Sequence, residues 1–167
     1  MQLEDLEILF DEDDLDFDAP SKEQLYIMYG HFLNDFDKAP LIHRGKKVIF
    51  NTNISRHPLF KGKYEGFVHV ITRKSDYTHK RQYDRDRANR IHWIKPILDN
   101  WQSHLVSYFE RINNEGQTQY FYWVQSKKFL IILRELNPDL LLVTSYCIGD
   151  FNIGQFRKHL NEYRDRK

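Results

Sequence analysis

One cysteine in 167 residues excludes an internal disulfide, and Cys147 inside "VTSYCIG" reads as a small buried hydrophobe rather than a nucleophile. No run of 18 apolar residues exists, so no membrane span is expected. The first residues are acidic where a secretory signal would be basic. No export signal is read from them, and a cytoplasmic setting is the expectation. Eight histidines, at 31, 43, 57, 69, 79, 92, 104 and 159, stand without HExxH or CxxC spacing, so neither a metal nor a cofactor is expected. A G-x-S-x-G elbow, a glycine-rich phosphate loop and a dinucleotide fingerprint are also missing.

What is present is charge, strongly segregated. The formal net charge is +1. Residues 1–18, "MQLEDLEILFDEDDLDFD", hold nine acids and no base, which leaves the rest of the chain with 15 acids against all 25 bases, a net of +10. Between residues 56 and 95 there are eleven bases and four acids. A body of this kind favours a polyanionic partner and says nothing about fold. Residues 1–20 are expected to be a flexible acidic tail whose Leu6, Leu9, Phe10, Leu15 and Phe17 allow it to dock, and 21–167 a single globular domain.

Within that domain Ser21 is a plausible N-cap before Leu25, Met28, Tyr29, Phe32, Leu33 and Phe36, which recur at helical spacing. "KKVIFN" reads as one short strand in a loop-rich stretch. "GFVHVITRK", residues 66–74, reads as a strand with His69 at its middle, Phe67, His69, Ile71 and Arg73 sharing one side. Ala88, Ile91, Ile94, Leu98 and Trp101 form a helical stripe over 84–101 that Pro96 should kink or divide. Four strand signals follow, "LVSYFERI", "TQYFYWVQ", "KFLIILREL" and "DLLLVTSYCI", separated by turns short enough for antiparallel neighbours. A last helix is expected at 152–164. The class is therefore α+β: N-terminal helices on a four- to five-stranded, mainly antiparallel sheet with a closing C-terminal helix.

The candidate chemistry is basic and hydroxyl-rich. His69, Arg87 and Arg90 of the middle helix, Arg134 in "FLIILREL", and Thr144 with Tyr146 in "LLLVTSYCI" each set one polar group among apolar neighbours. RNA cleavage without metal needs such a set: a base for the 2′-hydroxyl, an acid for the leaving 5′-oxygen, and cations for the phosphorane. Histidine serves as either acid or base near neutral pH, and arginine matches phosphate bidentately. Arg73, Lys74, Lys80, Arg81 and Lys95 are candidates for holding the nucleic-acid backbone, and Tyr120 and Tyr122, on one strand face, for stacking bases. Each has a plainer reading as a structural residue.

The sequence "GFVHVITRK", "RANRIHWIKPIL", "YFYWVQSKKFLIILREL", "DLLLVTSYCI" resembles, over residues 64–148, the phage-encoded branch of the barnase, EndoU, colicin and RelE-like ribonuclease superfamily. The likeness lies in the order of elements. It implies helices packed on a four-stranded antiparallel sheet and RNA cleavage without metal, with His69, Arg87 or Arg90, Arg134, Thr144 and Tyr146 at the family's active positions. No glutamate base of the barnase kind stands out. The expected activity is a toxin-like endoribonuclease acting on tRNA or mRNA and leaving a 2′,3′-cyclic phosphate. The alternatives are a nucleic-acid-binding module without chemistry, or an interaction protein docking through its acidic N-terminus. Expected partners are RNA and an inhibitor, either a separate protein or residues 1–18 acting on their own chain.

Overall fold

The computed structural model describes residues 2–166. The first helix, α1 (Lys22–Phe32), opens on a capping box: the Ser21 hydroxyl accepts from the Gln24 amide, and the Gln24 side chain accepts from the Ser21 amide. It buries Met28 and Phe32, and a wider turn over Leu33–Asp37 carries Phe36 into the same core. A hairpin follows, β1 (Leu41–His43) and β2 (Lys46–Ile49), joined by Arg44 at φ 54 and Gly45 at φ 78. Two positive φ values in a two-residue loop match the twist of the flanking strands.

The segment read as a histidine strand is a helix, α2 (Glu65–Ile71), followed only from Thr72 by a short strand, β3 (Thr72–Lys74). Phe67, Val68, Val70 and Ile71 are all buried, with His69 the least covered residue among them. Apolar residues on both sides of a polar one satisfy a buried helix as well as a strand, and only tertiary contacts choose. Here Gly66 chooses. A Cβ on it would lie 2.8 Å from Phe50 Cβ, so a glycine is needed where the chain crosses itself. The Glu65 and Gly66 amides donate to the Asn53 and Asn51 carbonyls and fix where the helix starts.

Strand β4 (Arg81–Tyr83) pairs with β3 as a separate two-stranded sheet. The helix expected over 84–101 is broken into α3 (Arg85–Ala88) and α4 (Ile94–Asp99), with a 3₁₀ turn at Ile91–Trp93. The break falls at Arg90, not at Pro96. Pro96 sits in the first turn of α4, where a missing amide hydrogen breaks no bond.

The meander is as read: β5 (Val106–Ile112), β6 (Thr118–Val124), β7 (Phe129–Leu136) and β8 (Asp139–Cys147), closed by α5 (Ile153–Asp165). The hairpin adds to it, however. β2 runs parallel to β8, which makes a mixed six-stranded sheet in the order β1-β2-β8-β7-β6-β5. The molecule is α+β with one more strand and one more direction than expected. One face of the sheet carries the large core with α1, α2 and α4; the other packs Phe109, Phe121, Trp123, Leu130 and Ile132 against α5.

Residues 2–18 lie docked on the body. Leu3, Leu6 and Leu15 are buried. Asn89, itself buried, bonds the Phe10 amide and carbonyl (2.8 and 2.9 Å). The His92 and Trp93 rings donate to the Glu7 carbonyl, Lys127 to those of Glu4 and Leu6, and Arg85 to those of Glu12 and Leu15. All nine carboxylates are exposed, and none forms an ion pair among the described residues. The segment is held by leucines and backbone carbonyls, not by its charge.

Candidate functional site

β2 reaches only Leu140 and Leu141 of β8. Beyond them β8 runs on to Cys147 with no strand beside it on that side, and α2 and α3 pack there instead. The C-terminus of α2 meets this open edge. The last carbonyls of a helix lack intrahelical donors and carry the negative end of its dipole. Five side chains supply donors. Thr72 Oγ1 bonds the Val68 carbonyl, Thr144 Oγ1 that of His69 (3.3 Å), and Ser145 Oγ that of Val70 (3.3 Å). Arg81 donates to the His69 carbonyl (3.3 Å), the Thr72 carbonyl (2.8 Å) and Thr72 Oγ1 (2.7 Å). Arg87 donates to the Thr72 carbonyl (2.7 Å).

Two guanidiniums thus meet at the Thr72 carbonyl, and the charge of one of them, Arg81, reaches the His69 imidazole. Burial lowers the pKa of both arginines, and Arg87 adds to the effect at Arg81. Asp84, 3.5 Å from Arg87 Nε, opposes it, and the Tyr146 ring lies 4.5 Å from the Arg87 guanidinium. Among the described residues the Tyr146 hydroxyl has no hydrogen-bond partner. His69 Nε2 stands 3.9 Å from a Glu65 carboxylate oxygen, one helical turn away, with its side chain 42% exposed. Burial, then the charge of Arg81, push the His69 pKa below its ordinary value; Glu65 pulls the other way. At neutral pH the imidazole is therefore unprotonated and able to take a proton.

The structure brings together His69, Arg87, Thr144 and Tyr146 from the expected set. It adds Arg81, expected in a polar loop but half-buried and hydrogen-bonded three times, and Glu65, which was missed. Glu65 and His69 at i, i+4 would have been a legible pair had the segment been read as a helix. Thr144 is buried and its hydroxyl is committed to backbone carbonyls.

Others fall elsewhere. Arg90 turns to Asp86 and lies over the Trp93 ring at 5.3 Å. Arg134 is four residues along β7 from Leu130, the partner of Tyr146, about 13 Å at strand rise. Lys95 pairs with Asp99 at 2.8 Å on α4. Tyr122 is no stacking platform: it is fully buried, its hydroxyl 2.6 Å from His43 Nε2. Tyr120 is half-buried on the same strand face, packed against the large core. Arg73, Lys74 and Lys80 are exposed on the β3–β4 hairpin. Beside that hairpin a cavity of about 480 Å³ is bordered by Arg73, Arg81, Arg85 and His57, by Asp84 and Asp86, and by Phe17 and Asp18 of the N-terminal segment. Burial pushes the Cys147 thiol up to about 12, so it is no nucleophile at neutral pH.

No family profile, no curated protein and no solved structure matches this chain. Its class is thus set by its own geometry, an α+β protein with a basic, histidine-bearing cluster at an open sheet edge. No described helix is long and apolar enough to cross a membrane.

Proposed function

We propose that this protein is a metal-independent endoribonuclease, as its resemblance to the phage-encoded barnase, EndoU, colicin and RelE-like superfamily implies. One observation carries the reading: a part-exposed His69 stands beside Arg81, which shares the Thr72 carbonyl with Arg87 at the end of one helix. In this reading His69 takes the proton of the ribose 2′-hydroxyl. The 2′-oxygen bonds to phosphorus while the bond to the 5′-oxygen breaks, leaving a 2′,3′-cyclic phosphate. Arg81 and Arg87, each with N–H groups beyond those given to carbonyls, stabilise the added charge on the phosphorane. The unengaged Tyr146 hydroxyl beside Arg87 donates a proton to the 5′-oxygen and is restored from the imidazolium through solvent. Glu65 favours the imidazolium as it forms.

A second reading has its own support. The arginines bond backbone carbonyls, as helix caps do, and a nucleic-acid-binding module without chemistry needs only that and the exposed Arg73, Lys74 and Lys80. Incubation with total tRNA and with mRNA in EDTA separates the two. The expected result is cleavage to ends bearing 2′,3′-cyclic phosphate, reduced by ~10²–10⁴-fold in folded His69→Ala. Activity lost in EDTA and restored by a divalent ion refutes the mechanism; RNA binding without cleavage leaves the binding module.

A further inference from the structure

Residues directly opposite on antiparallel strands share a face of the sheet. The register sets Arg111 of β5 opposite Gln119 of β6, and Gln119 opposite Arg134 of β7. The neighbouring row on that face is Phe109, Phe121 and Ile132, and this is the face that α5 covers. Between α5 and the sheet lies a cavity of about 400 Å³, the size of a small-ligand site. Phe121, Ile132 and Phe156 give it apolar walls, and Arg111, Gln119 and His159 give it polar ones.

The polar groups here lack partners. Among the described residues Arg111 forms no ion pair and no side-chain hydrogen bond; Arg134, in the same row but outside the cavity lining, has its Nε buried without an acceptor. His159 is 11% exposed, neither ring nitrogen makes a hydrogen bond, and the Glu162 carboxylate at 3.8 Å is too far for one. Trp123 lies on the same face, fully buried, its indole N–H also without a partner and its ring 6.3 Å from Phe156. Buried polar groups are normally satisfied, so a cluster of exceptions needs a reason. The Arg111 guanidinium, without a carboxylate partner among the described residues, calls for an anion. Aromatic walls with an amide and an imidazole call for a flat heterocycle with polar edges. A nucleotide meets both demands.

We propose that this cavity is a nucleotide subsite. The base lies against Phe121 and Phe156, Gln119 and His159 read its edge, and Arg111 holds a phosphate. The inference rests on the ribonuclease reading, because Tyr146 joins the two places: its ring lies against Arg87 and it also lines the cavity. A base held here belongs to the strand whose phosphate reaches His69, and it gives cleavage a base preference.

The test is a titration of the ¹⁵N-labelled full chain with the four nucleoside 3′-monophosphates and, separately, inorganic phosphate. The signals followed are the amides of Gln119 and of Gln155, which also lines the cavity, and the Trp123 indole. Saturable shifts are expected, with one base preferred over another by about tenfold, or 1.4 kcal/mol, and phosphate alone far weaker. Gln119→Ala should erase the preference and Arg111→Ala should weaken all four. No movement of these signals, or equal affinity for every nucleotide and for phosphate, overturns the subsite. Cleavage is read apart: base-selective binding without cleavage keeps the subsite and removes the ribonuclease, whereas cleavage with no base preference, unchanged in Gln119→Ala, does the reverse.

Discussion

His43 is 4% exposed at the end of β1, wedged against Trp101 and Tyr122. Its Nε2 lies 2.6 Å from the Tyr122 hydroxyl, which donates to it, and the Leu98 backbone lies beside the ring. The neutral ring thus ties the β1–β2 hairpin to α4 and the sheet. Burial, reinforced by the neighbouring Arg44 charge, lowers its pKa from 6.5 to about 4. Below about pH 6.5 the unfolded chain binds this proton and the folded chain does not, so stability is complete above that pH and falls as the pH drops toward 4. A shift of this size is worth roughly 3 kcal/mol at 1.36 kcal/mol per pH unit. With a urea m-value of about 2 kcal/mol/M, the midpoint moves by roughly 1.5 M. His69, His92 and His159 are shifted in the same direction. The diagnostic is therefore a comparison with His43→Gln, in which those residues remain. Urea unfolding at steps from pH 7.5 to 4 should show the wild type losing about 3 kcal/mol more than the variant. Parallel curves for the two proteins would refute the account of His43.

Arg87→Ala should lower turnover on RNA, whereas Lys80→Ala, on the exposed hairpin, should weaken affinity and reduce the salt slope by about 1. Equal effects of both on affinity alone, with turnover intact, would remove Arg87 from the chemistry. A chain starting at Pro20 should bind RNA more tightly at low salt, because Asp18 and Phe17 border the cavity that Arg73, Arg81 and Arg85 line and nine exposed carboxylates repel a polyanion. The same truncation should lower stability, since Leu3, Leu6 and Leu15 are buried. Added salt should leave residues 2–18 docked in the intact chain, measured by the rate of limited proteolysis; release by salt would contradict attachment through leucines and carbonyls.

The meander was legible because β5 to β8 are long, rich in β-branched and aromatic residues, and joined by turns that allow few registers. The N-cap at Ser21 and the amphipathic stripe of α5 were equally local. The first hairpin was only half visible, because β1 is three residues long and β2 gains its place by pairing in parallel with the far-off Leu140 and Leu141. Of the site, the residue types at 69, 87, 144 and 146 were readable. Their arrangement was not, since it depends on the end of α2 meeting the unpaired edge of β8.

By itself the sequence determined the α+β class, the four-strand meander, the segregation of acid from base, and a store of histidine and arginine without metal-ligand spacing. All of these follow from composition, period and turn chemistry, which act over a few residues. Only the tertiary structure decided that 65–71 is a helix, because Gly66 has to pass Phe50, and that Arg81 joins Arg87, because both answer the open carbonyls of that helix. It also decided that the acidic segment lies on its own body through backbone carbonyls, and that Arg111, Gln119 and Arg134 form one row. Cross-strand register and long-range burial set these, and neither leaves a periodic trace along the chain.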